Sequence, residues 1–101
     1  MTPEGVRALV AGLPETEERA HHGHPDFRVR KKIFATLWPD QCRSVLRLTC
    51  VEARALAAQH PDIYRVVSDR EPCAWLSVQL ERADPTEFQD LLEDAWRLRS
   101  G

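Results

Sequence analysis

From Phe27 to Leu48 the chain carries three strand-like runs, residues 27–29, 32–38 and 44–48, separated by only a few residues, the first of them alternating strictly between apolar and polar side chains. A period of two is strand periodicity, and connections this short join antiparallel neighbours, because a parallel pair needs a crossover of roughly a dozen residues. This stretch commits the chain to an antiparallel meander. Its middle run, Lys32-Ile33-Phe34-Ala35-Thr36-Leu37-Trp38, is rich in β-branched and aromatic residues that favour strands. Arg30-Lys31 supplies the turn before it, and Pro39-Asp40 closes it.

Helical signals lie outside the meander. Thr2-Pro3-Glu4 provides a capping hydroxyl, a proline suited to the first helical position and an early acid, and Val6, Leu9, Val10 and Leu13 follow at helical spacing until Gly12 and Pro14 end the pattern. The acidic passage 15–18 reads as a linker. Thr49-Cys50-Val51-Glu52 has the spacing of a capping box and starts a short helix with Ala53, Leu56 and Ala57 on one side, which Pro61 stops. Residues 63–67 read as a brief edge strand, 68–72 as a loop and 75–80 as a central strand. A second capping box, Asp84-Pro85-Thr86-Glu87, starts a closing helix whose inward stripe is Phe88, Leu91, Leu92, Ala95 and Trp96. The predicted fold is α+β: a two-layer sandwich with an antiparallel sheet and the N- and C-terminal helices on one face.

With 101 residues, 43% of them hydrophobic and 30% charged, the chain reads as one globular domain, residues 1–101. It has no long apolar run and no secretory pattern at its start, so we expect a cytoplasmic protein without membrane contact. The three cysteines, Cys42, Cys50 and Cys73, contain no C-x-x-C pair and fit free thiols in a reducing compartment. The formal charge of −2 hides an uneven distribution, with the ten Lys and Arg of residues 19–70 set between acidic ends.

The pleat sharpens the functional expectation. With Phe27, Val29, Ile33, Ala35, Leu37, Leu46, Leu48, Leu76, Val78 and Leu80 turned toward the helices, strict alternation sends Arg28, Arg30, Lys32, Phe34, Trp38, Arg47 and Trp75 to the opposite face. Cations among aromatic rings suit nucleic acid, since cations meet phosphate and rings stack on bases. The same mixture also serves to shield a one-layer sheet, arginine stems lying over tryptophan rings. The expected phosphate contacts are Arg28, Arg30, Lys31, Lys32 and Arg47, and the expected stacking residues are Phe34, Trp38 and Trp75. The alternative is a protein-interaction or small-ligand module, using this face or residues 68–74, and a second copy of the chain could also cover it. A third reading is transition-metal binding by His21, His22 and His24, although their spacing matches no established zinc motif. Neither a Gly-rich phosphate loop nor a convincing nucleophile-and-base set occurs, so we expect no enzyme and no cofactor.

The segments His24-Pro25-Asp26-Phe27-Arg28-Val29 and Lys32-Ile33-Phe34-Ala35-Thr36-Leu37-Trp38-Pro39 resemble the MmcQ/YjbR family of small bacterial proteins. The resemblance extends to Met1-Thr2-Pro3-Glu4, Leu13-Pro14-Glu15, Leu48-Thr49 and Ala95-Trp96-Arg97, nearly the whole chain. It implies a frataxin-like (CyaY-like) α+β sandwich, described as a double wing, and a DNA-binding role with no catalytic residues. Relatives tend to have glycines in the hairpin where this chain has Arg30-Lys31, which makes the turn more basic and less suited to positive φ. Iron binding is not implied, because the acidic ridge of frataxins has no counterpart on a first helix whose one acid is Glu4.

Overall fold

A computed structural model describes residues 1–101 except His22, and of His21 only the backbone. In chain order the elements are α1 (Pro3–Ala11), β1 (Thr16–His21), β2 (His24–Val29), β3 (Lys32–Trp38), β4 (Arg43–Thr49), α2 (Cys50–Gln59), β5 (Tyr64–Arg70), β6 (Cys73–Gln79) and α3 (Pro85–Ser100), with a single 3-10 turn at Pro39–Gln41 between β3 and β4. The strands form one sheet in the order β1-β2-β3-β4-β6-β5, every neighbouring pair antiparallel. The fold is thus the expected α+β sandwich.

Each helix begins where the capping signals predict. Thr2 Oγ1 accepts from the Gly5 amide at 3.1 Å, Thr49 Oγ1 from the Glu52 amide at 3.1 Å, and a carboxylate oxygen of Asp84 from the Glu87 amide at 2.9 Å. Each cap satisfies a donor that the helix itself leaves orphaned. Between the helices and the sheet lies a continuous core that includes Val6 and Val10 of α1, Cys50 and Ala53 of α2, Phe88, Leu92 and Ala95 of α3, and Phe27, Leu37, Leu46, Leu48, Leu76 and Val78 of the strands. Tyr64 of β5 is buried beside them and donates its hydroxyl to Glu87 of α3. Burial, with the Glu87 carboxylate adding to it, pushes this phenol above its ordinary range.

Two expectations about the sheet edges are corrected. Residues 16–18, read as part of a linker, belong to β1, and residues 68–70, read as loop, extend β5. Both are edge strands. An edge needs no apolar alternation, because one neighbour satisfies half of its backbone and water the rest, and charged side chains there discourage pairing with another chain. β1 is anchored instead by polar contacts: the Thr16 hydroxyl donates to the carbonyls of Val10 and Leu13, at 3.0 and 3.1 Å, and Glu18 pairs with Arg7 of α1 at 3.2 Å.

A third correction moves a candidate site residue. Phe27 pairs with Ala35, yet Arg28 pairs with Ile33, so Phe34 is an extra residue in β3, a β-bulge. The insertion shifts the pleat by one. Phe34 enters the core at 0% exposure, Ile33 shares its face with Arg28, and Lys32 pairs with Val29 on the helix-bearing side. Phe34 is therefore not available for stacking, and Lys32 does not project from the open face.

Candidate functional site

The face of the sheet opposite the helices is read directly from the register, since paired antiparallel residues share a side. Thr36, Val45, Ser77 and Arg65 form one cross-strand row, Trp38, Arg43 and Gln79 a second, and Arg47, Trp75 and Ser68 a third. Arg28 and Ile33 extend the face across β2 and β3. Arginines and indoles do share this side of the sheet, as the alternation predicted.

Their partners divide them by role. Arg28 donates from Nε to one oxygen of Asp26 at 2.9 Å and from Nη2 to the other at 3.2 Å. Asp26 is fully buried, so this two-pronged pair is the carboxylate's compensation for leaving water. The hydrogen bonds to Asp26 hold the guanidinium above its ordinary pKa. Arg28 is thus committed to Asp26 rather than held ready for phosphate. Two residues on one strand lie on the same face, so the D-x-R spacing was a signal for this pair.

Trp38 is also engaged. From β2 the His24 ring stacks on it, centroids 3.7 Å apart and planes at 21°, while from β4 the Arg43 guanidinium lies 5.0 Å from the ring centroid. The indole Nε1 donates to Thr36 Oγ1 at 3.1 Å. Trp75 differs: among the described residues it makes no ring contact and no side-chain hydrogen bond, and it is only half-buried.

The remaining cations gather toward one end of the sheet. The β2–β3 turn carries Arg30 and Lys31, followed by Lys32; the register from β3 through β4 and β6 to β5 brings Arg47 and Arg70 to that same end. Arg99 of α3 reaches it as well, donating to the Ile33 carbonyl at 2.9 Å. Burial, aided by the like charge of Arg47, lowers the Arg99 pKa. Among the described residues Arg30, Lys31, Lys32, Arg47, Arg65 and Arg70 have no ion-pair partner, whereas Arg7, Arg19, Arg54, Arg82 and Arg97 are all paired with carboxylates. Arg70 is missed in the sequence because its strand reads as ending at residue 67, and Arg65, although inside that strand, because the strand's pairing and so its face are not assigned there.

Two concavities open on this surface. One, of about 430 Å³, is lined by Ile33, Val45, Val67, Trp38 and Trp75 together with Thr36, Ser68, Arg43 and Arg65. The other, of about 320 Å³, is formed by Arg47, Ser68, Arg70, Cys73 and Trp75. Among the described residues no group of three or more His, Cys, Asp or Glu is arranged to hold a metal ion. For the histidine reading, His22 and the side chain of His21 lie outside the described residues, and the His24 ring is stacked on Trp38. No helix among the described residues is long and apolar enough to cross a membrane.

Comparison with known proteins follows from this geometry. The model of the YjbR family matches residues 11–98. Among solved structures, the crystal structure of the Deinococcus radiodurans protein DR2400, which carries the DUF419 family domain, superimposes with a TM-score of 0.85 at 19% identity, over 96% of this chain and 77% of that one. At that identity the likeness is one of fold. No curated protein sequence matches significantly.

Proposed function

This chain belongs to the YjbR family, and from that premise we propose that it is a non-enzymatic, cytoplasmic nucleic-acid-binding protein that uses the open face and the hairpin end of its sheet. The observation that carries the reading is the segregation of charge. Five cations without carboxylate partners among the described residues, Arg30, Lys31, Lys32, Arg47 and Arg70, share one end of the sheet, while most other arginines are neutralised locally. Unpaired guanidinium and ammonium groups on a surface are what phosphate oxygens recognise, and each phosphate neutralised releases condensed counterions.

A non-enzymatic role is supported by the state of the nucleophile candidates. Ser44 is buried and donates its hydroxyl to the Thr36 carbonyl at 2.7 Å, and Ser77 accepts from Arg43 at 3.2 Å. Burial pushes the Cys50 thiol above its ordinary pKa, the opposite of what an activated nucleophile needs. All three cysteines are free, as a reducing compartment favours.

The concavity beside Trp75 favours the alternative, a small-ligand or protein-docking module, but the two arginines that line it suit an anionic partner better than a neutral one. A salt titration of fluorescently labelled DNA separates the two. The reading requires binding at low salt that weakens linearly on a log–log plot, with Arg47→Ala and Lys31→Ala each reducing the slope by roughly 0.7 to 0.9. No binding at low salt, or binding indifferent to both substitutions, rejects it.

A further inference from the structure

We propose that the open face prefers single-stranded nucleic acid, seating one unpaired base in the slot beside Trp75 while Arg47 and Arg70 hold the adjoining phosphate; this rests on the nucleic-acid reading above. The two concavities are neighbours, and both include Ser68 and Trp75 in their walls. The first sets the aliphatic side chains of Ile33, Val45 and Val67 beside two guanidiniums; the second carries the guanidiniums of Arg47 and Arg70 with no aliphatic wall. A flat aromatic group beside a phosphate is the chemistry of a nucleotide, and the bipartite site matches both parts. A base within a duplex offers only its edges, so a ring that stacks in the slot must be unpaired.

Trp75 rather than Trp38 is the platform. Trp38 is engaged by His24 and Arg43, from strands on either side, and its Nε1 is spent on Thr36. Among the described residues Trp75 has neither ring nor hydrogen-bond partner. The bulge in β5, where Val66 faces Leu76 but Ser68 already faces Trp75, leaves Val67 as the extra residue and puts an aliphatic wall, 44% exposed, on the slot. Charge complementarity selects the occupant: among the described residues no carboxylate lines either concavity, and four arginines do.

The test compares a labelled oligothymidylate of roughly 15 nucleotides with a duplex of the same length by fluorescence anisotropy at low salt, alongside thymidine monophosphate, for the wild type, Trp75→Ala and Trp75→Phe. The single strand should bind about tenfold or more tighter than the duplex and quench tryptophan emission. Trp75→Ala should abolish both the preference and most of the quenching, and Trp75→Phe, which keeps a stacking ring, should retain the preference. Equal affinities, or a preference that survives in Trp75→Ala, would overturn the slot while leaving duplex binding and the broader reading intact. Thymidine monophosphate binding as tightly as the oligonucleotide would overturn the strand in favour of a free nucleotide, and binding to neither polymer would overturn slot and reading together.

Discussion

The β2–β3 turn offers a test that couples stability to function. Val29 pairs with Lys32, so Arg30 and Lys31 form a two-residue loop, and both have positive φ, 51° and 67°. Two positive values are the signature of a type I′ turn, whose twist matches the flanking strands and whose favoured sequence is Asn-Gly. Left-handed backbone places Cβ against the following carbonyl and costs about 1–2 kcal/mol per non-glycine residue. Replacing Arg30 by Asn and Lys31 by Gly relieves part of the first and all of the second, offset by roughly 0.4–1 kcal/mol for the freer unfolded chain that glycine brings. The net expectation is a gain of about 1 kcal/mol, which in a domain of this size raises Tm by roughly 4–8 °C. Calorimetry or circular-dichroism melts of the double variant measure it. The same variant removes two cations, so its log affinity for duplex DNA against log salt should flatten by about 2. An unchanged or lower Tm would refute the account of backbone strain. A higher Tm with an unaltered salt slope would show that these two charges do not meet phosphate, and that something other than binding keeps strained cations in the turn.

Phe34→Ala, which empties a fully buried position, should destabilise the fold by about 3–5 kcal/mol in urea titration, and a loss below about 1 kcal/mol would place the ring outside the core. Arg28→Ala should lower the urea midpoint far more than Arg47→Ala, because it strands the buried Asp26 carboxylate, and adding Asp26→Asn should recover much of the loss; equal effects of the two arginine variants would contradict the pairing. Burial, with the nearby Asp94 carboxylate adding to it, raises Glu52 from its ordinary 4.5 to about 6. Since the folded state holds that proton more tightly than the unfolded chain, the associated stability is full below about 4.5 and lost as pH rises through about 6. Glu52→Gln should therefore stabilise the protein at pH 7, by under about 1 kcal/mol after allowing for solvent screening, and flatten its midpoint between those pH values; a destabilisation at pH 7 would reverse the sign of the argument.

Features that arise between neighbours along the chain could be read from the residues alone. Thr2, Thr49 and Asp84 cap the helices they precede, because a capping oxygen reaches an amide only three residues on. The alternation around Phe27, Leu46 and Leu76 places arginines and tryptophans on the uncovered side of the sheet, because the pleat has a period of two. What lies across from each residue emerges only when the strands pair. Counting by twos cannot see an inserted residue, so Phe34 was sent to the wrong face, and its true place follows from how β3 must bend to pair with both β2 and β4. The edge strands β1 and β5 lack a clean apolar stripe and pair with the next strand in the chain, β2 and β6; without that register Arg65 and Arg70 have no assigned face, which is why they were passed over. The division of labour between Trp38 and Trp75 has the same origin: two indoles alike in sequence context differ because His24 and Arg43 engage one of them, while among the described residues the other has no ring or hydrogen-bond partner. Periodicity and capping are local and written in consecutive residues, whereas insertion, pairing and occupancy depend on contacts between segments that meet only once the chain has folded.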